Sequence, residues 1–170
     1  MDEIECGLEG VLAELHDSLS PGILLASIGR DGERNLMTIG WGLAGILFGK
    51  PVYMVAVRRS RHTYKLLNDT GVFTINVPGE GMDNVIDFCG TKSGRDYDKF
   101  EELNLTDKRG KSVEAPIVQE CMIHLECRVV ATTDVTEVGT SKEVLDSVYP
   151  AGNFHRLYYG EILKAYKNKF

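Results

Sequence analysis

The chain has 170 residues, of which 43% are hydrophobic and 26% are charged. This composition is typical of a globular protein and excludes a collagen-like or intrinsically disordered chain. Twenty-five acidic side chains outnumber nineteen basic ones, and the net charge of −6 disfavours general binding to nucleic acid. The longest apolar stretch, residues 43–57, is interrupted by glycines, Lys50 and Pro51, so we expect no membrane partner.

A single domain over residues 1–170 is expected, because no repeat, linker or low-complexity tract divides the chain. Its four cysteines form no C-x-x-C pair, which favours free thiols in a reducing compartment and argues against a metal site. Six acidic side chains lie within the first twenty residues, where a secretory signal needs a basic start and an apolar run. We therefore expect a cytoplasmic protein.

The hydrophobic pattern begins with a helical period and then changes to that of strands. Apolar residues at helical spacing predict an amphipathic helix over residues 4–19. Compact or alternating apolar runs predict strands over residues 23–28, 35–45, 52–57, 72–77, 121–130 and 156–166. Short helices are expected over residues 61–68, 82–89, 96–103 and 140–148, and a polar loop over residues 106–116. The last helix begins with Thr140-Ser141-Lys142-Glu143, which has the spacing of a capping box.

These six strands, with helices only before or between them, predict a mainly β fold with appended helices. Because the turns are short, we expect a small antiparallel barrel. The alternative is a doubly wound α/β sheet, which would need a crossover helix after nearly every strand. No G-x-G-x-x-G sequence follows any predicted strand, and this disfavours the alternative.

The strand predicted over residues 35–45 has one bulky face and one nearly bare face. Its odd positions carry large apolar side chains and its even positions small ones, namely Met37, Ile39, Trp41 and Leu43 against Thr38, Gly40, Gly42 and Ala44. Glycines weaken a strand unless another molecule approaches the backbone closely, so the bare face predicts a flat ligand or a second chain there. The alternative is that the glycines form bulges or corners that bend the barrel.

A cluster of cations lies where a predicted strand ends and the next helix begins. It contains Arg58, Arg59 and Arg61, with Ser60 as the expected N-cap and Thr63 close behind. A helix start has free N–H groups and a partial positive charge, so it favours an anion. We interpret the cluster as a phosphate site, in which arginines and hydroxyls contact the phosphate oxygens. The alternative is a solvated basic loop that pairs with surface acids.

A third polar segment, residues 87–100, has the composition of a second wall for a bound anion or ring edge. Gly94 would allow a tight turn within it. The alternative is a corner between two helices, with Asp96 as the N-cap and Phe100 packed inward. His155, at the start of the last predicted strand, is a weaker candidate, either a proton donor near a site or a surface residue.

Several short sequences along most of the chain stand in a characteristic order. They include Asn35-Leu36-Met37-Thr38-Ile39-Gly40-Trp41, Arg61-His62-Thr63, Asp87-Phe88-Cys89-Gly90, Asp98-Lys99-Phe100 and Tyr159-Gly160-Glu161-Ile162. In this order and spacing they resemble the flavin reductase-like family, and most closely its flavoredoxin-type branch. The resemblance implies an antiparallel Greek-key split β-barrel that binds FMN, and a homodimer with the flavin near the interface.

The resemblance also implies an FMN site made of three segments. The strand segment would face the flavin ring with Met37, Thr38, Ile39, Gly40 and Trp41. The turn before the helix would contact the ribityl phosphate with Arg58, Ser60, Arg61 and Thr63. The third segment would cover the edge of the cofactor with Cys89, Gly90, Ser93, Arg95, Lys99 and Phe100. FMN itself carries the chemistry, so no catalytic side chain and no metal ligand is expected.

The function implied by the resemblance is that of an oxidoreductase. Electrons would pass from NADH or NADPH, as co-substrate, through bound FMN to a flavin, a ferric complex or a redox partner protein. Two alternatives stay open: a non-catalytic FMN electron carrier, and a split-barrel binder of haem or another small ligand with His62 or His155 as the axial ligand. The helical insertion at residues 140–148 departs from the family pattern and would reshape the mouth of the site.

Overall fold

The computed structural model describes residues 3–168, which form ten strands, five α-helices and one short 3-10 helix at Leu8–Gly10. The strands are β1 Glu3–Glu5, β2 Ile23–Ile28, β3 Arg34–Ile39, β4 Gly42–Leu47, β5 Lys50–Arg58, β6 Val72–Val77, β7 Asp107–Arg109, β8 Pro116–Val118, β9 Ile123–Asp134 and β10 His155–Asn168. The α-helices are α1 Leu12–Asp17, α2 His62–Thr70, α3 Asp83–Thr91, α4 Lys99–Glu102 and α5 Lys142–Val148.

Eight of the strands form one antiparallel sheet. Its order is β3-β2-β6-β9-β10-β5-β4, with β1 paired to the far end of β10, while β7 and β8 form a separate hairpin. The path begins at β3 and ends at β4, which are consecutive in sequence but unpaired in the described part of the chain. The predicted antiparallel, mainly β fold with appended helices is confirmed.

Strand β2 shows why the core has two parts. Ile23 and Leu25 point into the main core cluster, whereas Leu24 and Ala26, on the opposite face, belong to a second cluster with Phe100 of α4. A strand that is covered on both faces carries a continuous apolar run, and this explains the unbroken sequence Ile-Leu-Leu-Ala. Helices α3 and α4 therefore pack on one side of β2 and β3 and lie close to the site described below.

The first twenty residues differ from the helix predicted over residues 4–19. Only Leu12–Asp17 is α-helical, and Glu3–Glu5 is a strand in which Ile4 pairs with Lys167 of β10. The prediction was wrong because β10 offers this segment backbone partners, and sheet pairing satisfies the same N–H and C=O groups that a helix would.

The strand predicted over residues 35–45 is divided in two, so that prediction was wrong. β3 ends at Ile39 and β4 begins at Gly42, and the two strands pair with opposite ends of the sheet path. The expected alternation stops at this corner: Ile39 is buried, but Trp41 and Leu43 are 47% and 68% exposed. The alternative, in which the glycines form a corner, describes this region better.

Smaller differences concern chain ends and caps. The N-cap of α4 is Asp98 rather than Asp96, and its carboxylate accepts two backbone N–H groups. The loop predicted over residues 106–116 contains β7. Helix α5 is capped by Ser141, whereas the Thr140 hydroxyl donates to the Thr136 carbonyl, so the predicted capping box is wrong.

Two further expectations concern the whole chain. All four cysteines are free thiols, as predicted. Over residues 3–168, every helix is too short or too polar to cross a bilayer.

Candidate functional site

Two adjoining cavities of about 180 and 240 Å³ lie beside β3. The polar cavity reaches from β3 to the start of α2 and the end of α3, and Ser60, Thr63 and Gly90 are among its lining residues. The aromatic cavity reaches the corner before β4 and the start of β10, at Trp41 and His155. Because Met37, Thr38 and Arg61 line both, the cavities form one groove. Together they reach the ~300–1,000 Å³ typical of small-molecule sites.

The predicted site residues, with the exception of Phe100, all line this groove. The polar cavity contains Ser60, Thr63, Cys89, Gly90, Ser93, Arg95 and Lys99. The aromatic cavity contains Ile39, Gly40, Trp41 and Arg58. Phe100 lies outside both cavities, because its ring packs in the second core cluster with the Arg34 guanidinium 5.0 Å from its centre. The structure therefore brings the three predicted segments together, and their assignment to a cofactor stays a prediction.

The N-terminus of α2 opens into the polar cavity. Its N-cap is Arg61 rather than the predicted Ser60, whose hydroxyl instead accepts a hydrogen bond from the Asn153 amide at 2.9 Å. Within residues 3–168, the N–H groups of His62 and Thr63 have no hydrogen-bond acceptor, and the Arg61 side chain has no hydrogen-bond or ion-pair partner. A helix start with free N–H groups and an unengaged guanidinium is a favourable place for an anion.

The other predicted cations are already engaged. Arg58 donates to the carbonyls of Val148 and Asn153, and Arg95 donates to the Ser60 carbonyl at 3.1 Å. Their charges still contribute to the potential of the groove, but their hydrogen bonds hold the chain. Arg61 differs from both, because all of its side-chain N–H groups remain available to a ligand.

Lys99 lines the polar cavity with a buried side chain that is hydrogen-bonded to two segments of the chain. Its side chain is buried, and Nζ donates to the carbonyls of Leu36 at 2.7 Å and Cys89 at 2.9 Å. Burial lowers the pKa of this amine from its usual value, because desolvation disfavours the charged form. Lys99 therefore ties the end of α3 to β3 and sets the width of the cavity between them.

Of the two glycines that line the polar cavity, Gly94 is required by the close approach to β3 and Gly90 is not. A side chain at Gly94 would overlap the Asn35 amide oxygen, so the turn after α3 can lie here only without one. Asn35 in turn donates to the Thr63 hydroxyl at 2.8 Å, and both side chains are buried. At Gly90 a β-carbon would lie 3.4 Å from the Thr38 β-carbon, which is close but tolerable.

The aromatic cavity is built around His155. Its ring lies 4.6 Å from the Trp41 ring, and its Nδ1 is 2.7 Å from the Tyr149 hydroxyl. Burial, reinforced by the charges of Arg58 and Arg61, lowers the pKa of His155 to about 4. The imidazole is therefore neutral at pH 7, and it is buried rather than a surface residue.

Sequence reasoning did not find Asn35, Tyr149 or the engagement of Arg58. Asn35 was visible as a polar residue in an apolar strand, where a buried amide needs partners. Tyr149 directly follows α5, and nothing in its local sequence shows that the chain there returns to β5. The contacts of this segment with His155 and Arg58 depend on the register of β10 against β5, in which His155 is opposite Arg58.

The histidines and cysteines do not form a recognisable metal centre. Within residues 3–168, no group of three or more His, Cys, Asp or Glu side chains could hold an ion. His62 Nε2 lies 2.7 Å from Glu33 Oε1, so this nitrogen is engaged and poorly placed to bind a haem iron. Burial raises the pKa of Cys89 to about 11, which keeps it as a thiol at pH 7.

Comparison with known proteins agrees with this geometry. Residues 17–169 match the family described as flavin reductase like domain. The chain belongs to this family. A protein of Archaeoglobus fulgidus is 34% identical over 76% of the chain. The solved flavoredoxin of Methanosarcina acetivorans is 29% identical, covers 87% of the chain and 69% of its own, and has a TM-score of 0.69. The flavoredoxin of Desulfovibrio vulgaris, at 24% identity, has the same coverage and TM-score.

These comparisons confirm the predicted family and its split-barrel fold. The chain spans less than two thirds of the length of the curated relatives it matches, 63% of the Archaeoglobus protein and 62% of YddH from Escherichia coli.

Proposed function

We propose that this chain binds FMN in the groove beside β3 and moves electrons through it. The observation that carries the proposal is the division of the groove into a cationic, hydroxyl-bearing end and an aromatic end, joined at Met37, Thr38 and Arg61. A planar ring with a phosphate on a flexible stem has the same division. Membership of the flavin reductase-like family and similarity to the Methanosarcina flavoredoxin support the same ligand.

The residues of the polar cavity fit a phosphate. Arg61 would form the charge-assisted contact, and the free N–H groups at the start of α2 would bind further oxygens. Ser60 and Ser93 line the same cavity with hydroxyls that can donate, since both accept hydrogen bonds in the structure. Arg95 and Lys99 line the same cavity and would add their charge, although some of their N–H groups already donate to carbonyls of the chain.

The residues between the two cavities fit a flat ring. The Thr38 hydroxyl donates to the Ile86 carbonyl at 2.6 Å, which leaves its lone pairs free to accept a hydrogen bond from a ring N–H. Met37, Ile39 and Ala56 supply apolar surface, and Trp41 supplies a partly exposed ring at the mouth. Cys89 and Gly90 would lie against the opposite edge.

The side chains of this groove bind and orient rather than transfer protons. When bound, FMN would supply the chemistry itself, by accepting a hydride and releasing electrons singly or in pairs. The imidazole of His155 and the thiol of Cys89 are both uncharged at pH 7, so neither places a charge next to a bound flavin ring. Arg61 would hold the phosphate, and the walls would keep water from the face of the ring that they cover. We therefore assign no catalytic side chain.

For the electron path, the leading candidate is an oxidoreductase that takes hydride from NADH or NADPH and reduces a flavin, a ferric complex or a protein. A carrier that never binds nicotinamide is the second candidate, and the similarity to a flavoredoxin favours it. Anaerobic mixing of the flavin-loaded protein with NADH and with NADPH separates the two. Bleaching within seconds by either nucleotide supports the oxidoreductase, and no bleaching supports the carrier.

We also propose a homodimer, on the basis of the apolar surface around β4. This surface comprises Leu43, Ile46, Leu47 and Phe48, which are all exposed, and it continues into Trp41 at the aromatic cavity. The exposed Ile46 forms part of the lining of a largely apolar recess of about 490 Å³, whose other walls come from the N-terminal segment and β10 and carry the charged residues Glu5, Glu9 and Lys164. The exposed β4 side chains and this recess lie on one surface. In a two-fold dimer, the β4 side chains of each copy would pack into the recess of the other.

Sedimentation equilibrium tests the dimer. The unmodified chain should sediment as a dimer and Ile46→Asp as a monomer. Val138→Asp is the matched control, because Val138 is 90% exposed and lies outside the β4 surface. A monomeric unmodified chain would refute the interface.

The flavin site is tested on the purified protein. Yellow protein that releases FMN on denaturation supports the proposal, as does a stoichiometric FMN titration of the flavin-free chain. A red protein with a Soret band would instead support the haem alternative. Failure to bind FMN in a folded, flavin-free chain would overturn the proposal.

A further inference from the structure

The segment after α5 is fastened to the aromatic cavity. Helix α5 itself buries no side chain. The last residue of α5 and the chain that follows are held by Arg58, which donates to the carbonyls of Val148 at 3.2 Å and Asn153 at 3.0 Å. The third point of attachment is the 2.7 Å contact between the Tyr149 hydroxyl and His155 Nδ1. Tyr149 thus connects this segment to the histidine of the aromatic cavity, while the Asn153 amide donates to Ser60 of the polar cavity at 2.9 Å.

Tyr149 has a fixed position. It is 7% exposed, with the Phe154 ring 4.8 Å away on one side and the Arg58 guanidinium 5.3 Å from its ring centre. In the described part of the chain its hydroxyl has no hydrogen-bond partner other than His155. Because the phenol cannot turn elsewhere without losing this contact, it faces the imidazole in a single geometry.

The chemistry of the pair determines where the histidine proton lies. A neutral imidazole has one N–H donor and one acceptor nitrogen. The phenol is a much stronger acid than a neutral imidazole N–H, so the favoured hydrogen bond is the one in which the Tyr149 O–H donates to Nδ1. The remaining proton of His155 is then on Nε2. The charged groups near this ring, Arg58 and Arg61, are both cationic and oppose a second proton.

We propose that Tyr149 is a positioning residue that fixes His155 as the Nε2–H tautomer and so gives the aromatic cavity a neutral hydrogen-bond donor beside Trp41. Such a donor pairs with an uncharged acceptor such as a carbonyl or carboxamide oxygen. It does not bind a cation, because it has neither a lone pair nor a negative charge. The use of this donor rests on the proposed function, because it would hold the reductant or electron acceptor next to the flavin. The tautomer itself does not depend on flavin.

Long-range ¹⁵N–¹H NMR of flavin-free protein with labelled histidine distinguishes the two neutral tautomers. The chain has four histidines, and the spectrum of His155→Asn identifies the signals of His155. We expect the Nε2–H tautomer in the unmodified chain. Tyr149→Phe should give a mixture of tautomers and raise the pKa of His155 by about one unit, since the neutral ring loses its donor.

Tyr159→Phe is the matched control. Tyr159 lies on the same strand as His155, and its hydroxyl has no hydrogen-bond partner within residues 3–168. Its variant should match the unmodified chain in both tautomer and pKa. The Nδ1–H tautomer in the unmodified chain, or a Tyr149→Phe spectrum identical to it, would overturn the proposal. Because no flavin is present, neither result bears on FMN binding, and a failure to bind FMN would leave the tautomer result unchanged.

Discussion

The polar and aromatic cavities share three residues but are constructed differently. Around the polar cavity, buried side chains hold one another: Lys99 binds two carbonyls, and Asn35 binds Thr63. The wall of the aromatic cavity depends on the half-exposed Trp41 and on the segment after α5. A site that is already ordered loses little entropy when it binds a ligand. Affinity should therefore come from the polar cavity, and access and selection from the aromatic one.

The sharpest test of this difference is Arg61→Ala. A charge-assisted contact to a partly desolvated phosphate is worth roughly 1.5–3 kcal/mol, so FMN affinity should fall about ten- to a hundredfold. Riboflavin lacks the phosphate, and its affinity should not change. Titration of flavin-free protein, followed by quenching of flavin fluorescence, measures both. Arg58→Ala is the comparison variant and should weaken riboflavin as well as FMN, because Arg58 holds the chain beside the groove.

An equal loss of both ligands in Arg61→Ala would place the phosphate elsewhere. Thr63→Ala does not serve as a second phosphate test. The Thr63 hydroxyl accepts from Asn35 in a buried position, so its removal would disturb the cavity for either ligand.

Lys99→Met tests whether the polar cavity is already ordered in the flavin-free protein. The variant leaves the carbonyls of Leu36 and Cys89 without their buried donor, which should lower the free energy of unfolding by about 2 kcal/mol. Urea denaturation of flavin-free protein measures the change. Lys92→Met is the control, because Lys92 lines the same cavity but is exposed, and it should change stability by less than about 0.5 kcal/mol. Equal stability of the two variants would mean that Lys99 does not hold the cavity.

Trp41→Ala tests the aromatic cavity. Loss of a stacked ring costs about 1 kcal/mol, so FMN and riboflavin should both bind up to tenfold more weakly. The same titrations measure this loss. Val138→Ala, which changes an exposed apolar residue outside both the groove and the β4 surface, should leave both affinities unchanged. A selective loss of FMN would contradict the division between the two cavities.

The smallest effect is expected from His155→Ala. The variant should retain FMN and lose less than about tenfold in the rate of flavin reduction, because only one contact worth about 1 kcal/mol disappears. The pKa of His155 is lowered to about 4, so the ring is neutral above that pH, and protonation of His155 should contribute no rate change between about pH 5 and pH 8. Anaerobic single-turnover reduction measures both. A thousandfold loss with FMN still bound would make His155 a catalytic residue.

The sequence was most informative where local chemistry decides the structure. The run from Val72 to Val77 is a strand with the predicted bounds, and Gly71 ends α2 in the left-handed conformation that a glycine after a helix favours. The glycines and arginines of the groove were found because free backbone and clustered cations indicate a ligand. These signals depend only on residues close to one another in the chain.

The sequence failed where distant segments compete for the same partners. Ile4 follows a helical period yet pairs with Lys167, some 160 residues away. Arg58 has the composition of a phosphate ligand yet binds Val148 and Asn153, whose position depends on the path of the insertion. No pattern within a short window carries that information.

The two terminal strands of the sheet path, which do not pair with each other within residues 3–168, connect the groove to the stability of the fold. β3 and β4 are the two ends of the strand path, and the corner between them, at Gly40 and Trp41, borders the aromatic cavity. A ligand bound there would contact the corner between β3 and β4, which do not pair with each other, and would stabilise both strands. Its loss should therefore appear as faster amide hydrogen exchange in β3 and β4, while the exchange of β6 and β9 stays slow. Cofactor loading would then report on the integrity of the fold, and chains without flavin would be those most exposed to proteolysis.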